Sequence, residues 1–358
     1  MNTSSPLPPL PRDQRKIDAN HLNLIASFHF IGAGLAVRQQ CAKRLLAALI
    51  LRYLPALLKQ VLICGLLLLP PVVWSQDFIS QFPGHKKTEY FDFYYRRESP
   101  KIPEIARFAD GFVRLVNRDF FKADFNYPIR VLVLEDRQQF KQFLVQQLHI
   151  TDPPNFGVYV FRYKMFATYE GSGLGTFAHE ILHPLVERNL KDRPPWAIES
   201  IPTFFEKFYG YWKDGELVTY WGYQNPWRIQ QLGTNLTQLD LKQVIADPKE
   251  TGASSAVERS ESSWRMVSVF LWQQGRFKRF LNLIAKHDKA GYPTYFEAAM
   301  EMPVEKILPR WQDYLADVAA HRAKNLSFPP SQVLGDEAAF QNFVTANALS
   351  LEQPTKHD

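Results

Sequence analysis

The pattern of apolar positions along this chain changes character near residue 175. Upstream of it, short runs rich in aromatic and branched residues alternate with amphipathic stretches. Residues 89–95, EYFDFYY, alternate in part and predict a strand. Residues 102–121 carry Ile105, Phe108, Phe112, Leu115 and Phe120 at helical spacing and predict a helix packed on that strand. The branched run at 128–134 predicts a second strand, and Asp136 is placed to cap a helix over 137–148. After the Pro153-Pro154 break, 157–162 and 165–169 predict two more short strands, the last leading into the glycine-bearing loop 171–175. Downstream, 176–190, 195–210, 262–286 and 303–321 predict helices. The expected fold class is therefore α+β, a small N-terminal mixed sheet with helices followed by a mostly helical C-terminal half.

Composition narrows this picture. An apolar fraction of 46%, with 14% aromatic residues, supports a large buried core. The formal net charge of +6 first points to an anionic partner, but its distribution removes that reading. Residues 1–75 hold eight basic groups and two acidic ones, so this segment accounts for the whole excess and leaves a balanced body. A balanced body without a basic stripe carries no footprint for nucleic acid. Both cysteines, Cys41 and Cys64, also lie in that segment, so the body has no disulfide framework.

The run VLICGLLLLPPVV at 61–73 is too short to span a bilayer comfortably; Arg52 and Lys59 precede it, and Trp74-Ser75 follow it. Residues 59–75 are expected to act as a signal peptide or as a membrane anchor, with 1–58 an N-terminal extension. A buried helix of a cytosolic protein is the plainer alternative. Residues 77–325 are expected to form the functional domain, exported or anchored with its catalytic part outside the membrane. The scattered Pro, Ser and Gln of 326–358 predict a loosely ordered tail.

The chemistry concentrates at the seam. His179-Glu180-Ile181-Leu182-His183 lies on a predicted helix, where residues four apart project from one face. Both imidazoles can then reach one ion, and Glu180 sits about 100° round the helix, placed to take a proton from a metal-bound water. A catalytic zinc needs a third protein ligand and an open position, whereas a closed structural site would normally show cysteines. Glu199, one turn into a helix that starts at Pro195, supplies a carboxylate after a chain reversal through 191–194. Thr203, one turn further, is placed to orient a ligating imidazole, against the plainer reading of a hydroxyl bonded to its own helix. No oxyanion-stabilising residue stands out among Tyr209, Tyr211, Tyr220, Tyr223 and His287. The glycines of 171–175 lack the acidic partner of a nucleotide-binding unit, and an extended peptide is instead expected to pair with an edge strand at 165–169.

The runs HEILHPLVE and PPWAIESIPTFFE resemble the zinc-binding core of the peptidase MA-like family within the gluzincins. There a His-Glu-x-x-His helix precedes a Trp-x-x-Glu-Gly-x-Ala-x-Tyr helix, and the likeness extends more loosely over 89–315. The resemblance implies a zincin-like fold and Zn2+ held by His179, His183 and Glu199. It also implies Glu180 as general base and a peptide or protein substrate. Ser200 and Pro202 stand where the family has Gly and Ala, and Pro184 follows the second histidine directly. A non-catalytic exported protein with a structural zinc, and a membrane-anchored scaffold in which the motif is accidental, are the competing classes.

Overall fold

The computed structural model describes residues 77–122, 128–190, 195–246, 254–286 and 292–351. The chain divides into Met1–Ser75 and Gln76–Asp358. The expected extension and leader or anchor, with both cysteines, lie outside the described residues, as does His287. Among the described residues no helix is long and apolar enough to cross a membrane.

The body is α+β. Five strands, β1 (Gly84–Lys87), β2 (Phe91–Tyr95), β3 (Ile129–Leu134), β4 (Gly157–Val160) and β5 (Met165–Tyr169), form a mixed sheet in the order β1-β2-β3-β5-β4. β2, β3 and β5 run parallel, while β1 and β4 pair antiparallel at the two ends. The two-residue repeat of a strand sends alternate side chains to opposite faces. Val131, Val133 and Phe166 thus join the main core, packed with α1 (Lys101–Val116). Leu132, Leu134, Met165 and Ala167 join a second cluster under α2 (Arg137–Gln146), which contributes Phe140 and Phe143. Both faces are covered, so β5 is buried at every position. The expected cap at Asp136 is present, its side chain accepting from the Gln139 amide at 2.8 Å.

Beyond the sheet come α3 (Leu174–Asn189) and α4 (Pro195–Phe205), which run through Pro184 and Pro202. The helix expected over 195–210 stops at Phe205. The chain then forms a hairpin of β6 (Tyr209–Lys213) and β7 (Glu216–Tyr220), turned by Asp214 and Gly215 at φ 51° and 83°. Positive φ at both central residues is the geometry that an Asp-Gly pair supplies at low strain. α5 (Pro226–Leu232) and α6 (Leu241–Ile245) follow. The helix expected over 262–286 is two, α7 (Ser254–Gln273) and α8 (Phe277–Lys286), separated at Gly275 with φ 69°. The Arg276 amide closes α7 on the Leu271 carbonyl at 2.7 Å, a left-handed glycine cap. α9 (Tyr292–Met300), α10 (Val304–Ala320) and α11 (Arg322–Leu326) complete the helical part.

The expectation of a loosely ordered tail over 326–358 is corrected by the structure. β8 (Gln332–Leu334) pairs parallel with β6, and α12 (Glu337–Ala346) follows with Asp336 as its cap. Phe340 of α12 is fully buried, its ring 5.0 Å from Tyr211 and 5.2 Å from Tyr220. Residues 352–358 lie outside the described residues.

Candidate metal centre

α3 begins after Gly173 and presents His179, Glu180 and His183 on one buried face. These three residues form a group whose ligand atoms lie within 4.8 Å of one another. α4 brings Glu199 over it, with Oε2 3.3 Å from Nε2 of His179 and 3.8 Å from Nε2 of His183. Oε2 of Glu180 is 3.7 Å from the same His183 nitrogen. Two glycines permit this proximity. A Cβ on Gly175 would lie 2.5 Å from the Glu206 carbonyl, and one on Gly157 would lie 2.7 Å from Thr176 and 3.1 Å from the Glu180 side chain.

Thr203 does not orient an imidazole, which corrects the role expected of it. Its buried hydroxyl donates to the Ser200 carbonyl at 2.6 Å, the helix-internal bond available to any threonine on such a turn. The orienting group is Glu206, whose Oε1 is 2.9 Å from Nδ1 of His179. Glu206 also accepts from Asn225 at 2.9 Å and from both Nε and Nη2 of Arg228, while Nη1 of Arg228 donates to Glu261 at 2.5 Å. Glu206 falls within the span 195–210 expected to be helical, and no local pattern there marks it out. Its partners come from α3 and α5, and the local signal is Asn225-Pro226, a cap followed by a first-turn proline. The His183 ring makes no hydrogen bond through Nδ1; it is stacked on Tyr159 at 5.8 Å and edged by Phe161 at 5.7 Å. α7 adds Arg265, which donates to the carbonyls of Thr203 and Tyr223 and so satisfies the end of α4.

Burial pushes the Glu180 carboxyl up to about 8 and pulls the His183 imidazolium down to about 4. For Glu206 burial acts upward, but Arg228 and His179 outweigh it and hold the carboxyl well below the usual range. Glu199 follows the same logic, burial being overcome by His183 and His179. His179 is drawn down by burial, yet its bonds to Glu199 and Glu206 raise it well above the ordinary imidazole value.

These residues fit a divalent cation. With Nδ1–H of His179 assigned to Glu206 by the hydrogen-bond network, the neutral ring turns the Nε2 lone pair toward Glu199. Two lone pairs 3.3 Å apart repel unless a proton or a cation lies between them. Without such an ion the site keeps protons there instead, the His179 imidazole being raised and the Glu180 carboxyl pushed up by burial. A double positive charge would replace those protons, and two imidazoles with a carboxylate are the donors that zinc takes in open sites.

The centre opens on a cavity of about 630 Å³. Its walls include β4, the loop before α3, the start of α5 and the segment 328–331 of the tail. The expected edge strand at 165–169 is corrected: β5 is covered by β3 and β4, and β4 forms the edge, with Gly157, Val158 and Tyr159 in the cavity wall. The tyrosines at 209, 211, 220 and 223 do not line the cavity, being packed in the cluster around Phe340. No family model matches this sequence, and no curated protein matches it either.

Proposed function

We propose that the protein is a zinc-dependent metallopeptidase of the gluzincin type with a zincin-like catalytic domain. The observation that carries this reading is the convergence of two Nε2 atoms and the Glu199 carboxylate beside Glu180, at the floor of an open cavity. His179, His183 and Glu199 would hold the ion. Zinc bound there would supply a water of pKa near ~7 and a Lewis acid for the scissile carbonyl.

Glu180, beside the two imidazoles, accepts the proton of the attacking water and delivers it to the leaving amine. Glu206 holds His179 in the tautomer that frees Nε2, and Arg228 keeps Glu206 ionised beneath it. β4 is the edge of its sheet and forms part of the cavity wall, where an extended peptide adds as a further strand. Phe156, Phe161 and Trp227 are exposed at the cavity and fit apolar side chains of such a peptide. The leader-like residues 59–75 support export or anchoring of this domain outside the membrane.

Zinc analysis with a peptide-library digest tests the reading, wild type beside Glu180→Gln. About one zinc per chain is expected in both, with turnover lost by on the order of 10²–10⁴-fold in the variant. Bound zinc without turnover in the wild type would mean a structural ion, and substoichiometric zinc would mean an accidental motif.

A further inference from the structure

Lys207 is a buried cation without a counter-ion in the wall of the same cavity. It follows Glu206 at the end of α4, is only 3% exposed and lines the cavity together with Phe328, Pro330 and Ser331. Its ammonium donates to the Pro329 carbonyl and lies 4.9 Å from the Tyr209 ring centre. Neither contact brings a negative charge, and Lys207 makes no ion pair among the described residues. The buried guanidinium of Arg265, bonded to the carbonyls of Thr203 and Tyr223, adds a second positive charge that acts on it. The carboxylates of the metal centre and this lysine line one cavity, and only the lysine lacks an oppositely charged partner among the described residues.

Burying an ammonium without a compensating charge opposes folding, because its hydration is lost and a neutral carbonyl returns only part of it. Burial and Arg265 draw its proton affinity down to about 7. An anion entering the cavity would restore the balance. The tail lines the same part of the cavity wall as the lysine. Ser331 donates to the Glu206 carbonyl at 2.6 Å and accepts from the Phe208 amide at 3.2 Å, which fixes the tail beside the lysine and brings no acid to it.

We propose that Lys207 is a specificity-determining residue that binds a carboxylate of the substrate, either a peptide C-terminus or an acidic side chain, a proposal that rests on the peptidase reading of the same cavity. A bound peptide would then run from the ammonium past Glu180 along β4, and cleavage would favour substrates with a carboxylate at a set distance from the scissile bond.

The test uses matched peptides, one series with a free or an amidated C-terminus and one with Glu or Gln at successive positions, so that the two sources of carboxylate are read separately. In the wild type the acid form of one series is expected to be cleaved on the order of tenfold to a hundredfold better in kcat/KM, the worth of one charge-assisted hydrogen bond. Lys207→Met should bring that ratio to about one, while Lys207→Arg should keep most of it. Equal cleavage of acid and neutral peptides by the wild type would overturn the proposal without needing any variant to fold, and would leave the peptidase reading standing. Binding of N-acetyl dipeptide acids and amides to Glu180→Gln, by calorimetry, gives the converse. Tighter binding of the acid that is lost with Lys207→Met supports the anion subsite even if no peptide is hydrolysed, and equal binding of both forms refutes it.

Discussion

Glu206 is where the geometry makes its sharpest demand. Its carboxylate meets Nδ1 of His179, Nδ2 of Asn225 and two nitrogens of Arg228. Glu206→Gln keeps the volume and one acceptor oxygen but removes the charge. Arg228 then retains Glu261 alone, and the amide that replaces the carboxylate can face His179 with a donor, which favours the wrong tautomer. Breaking a buried ion pair on one side costs roughly 3–5 kcal/mol, and the retained oxygen and Glu261 place this case near ~3 kcal/mol. For a body of this size that corresponds to a fall of roughly 5–12 °C in Tm. Loss of the group that orients a ligating imidazole should weaken zinc about 10- to 100-fold. Thr203→Val is the paired control, since its hydroxyl serves only the Ser200 carbonyl; it should cost about 1 kcal/mol and leave zinc affinity unchanged. Thermal melts with chelator present, and zinc competition against a chromophoric chelator, read the two quantities separately. Zinc affinity unchanged in Glu206→Gln but reduced in Thr203→Val would reverse the assignment of the orienting residue.

Acid should act through the same carboxylate. Its folded pKa lies below the ordinary 4.5, so its stabilisation is complete above that value and is lost as pH falls toward the folded one. Chelator-treated wild type should lose Tm below pH ~4.5 more steeply than Glu206→Gln, and parallel curves would show that the carboxylate is not held ionised by Arg228. In the tail, Phe340→Ala removes a fully buried ring between Tyr211 and Tyr220 and should destabilise by roughly 3–5 kcal/mol in a denaturant titration. A change below ~0.5 kcal/mol would mean that α12 does not pack on the hairpin.

Much of this protein could be read along the chain because the physics there is local. The four-residue spacing of His179 and His183 sets a common helix face wherever that helix forms, and the observed Leu174–Asn189 lies within two residues of the expected span. The strand 165–169 was found at its observed limits, since a branched and aromatic run bounded by a turn is itself the signal. The Asp214-Gly215 turn was equally legible between YGYWK and ELVTY, but the continued helical pattern before it prevailed. Gly275 likewise marked the division between α7 and α8.

What only the tertiary structure decided lies in pairings between residues far apart in the chain. Periodicity identifies a strand but says nothing of its neighbours, so the edge fell to β4 and not to β5. The choice of Glu206 over Thr203 depends on Arg228 and Asn225 arriving from α5 to stabilise a negative charge there. The tail from 326 looked unordered because its own composition buries little; its order comes from β6, more than a hundred residues earlier, which supplies the strand partner and the aromatic surface that α12 covers. Local pattern fixes which face of an element is apolar or reactive, whereas charge compensation and sheet order are properties of the neighbours that folding brings to it.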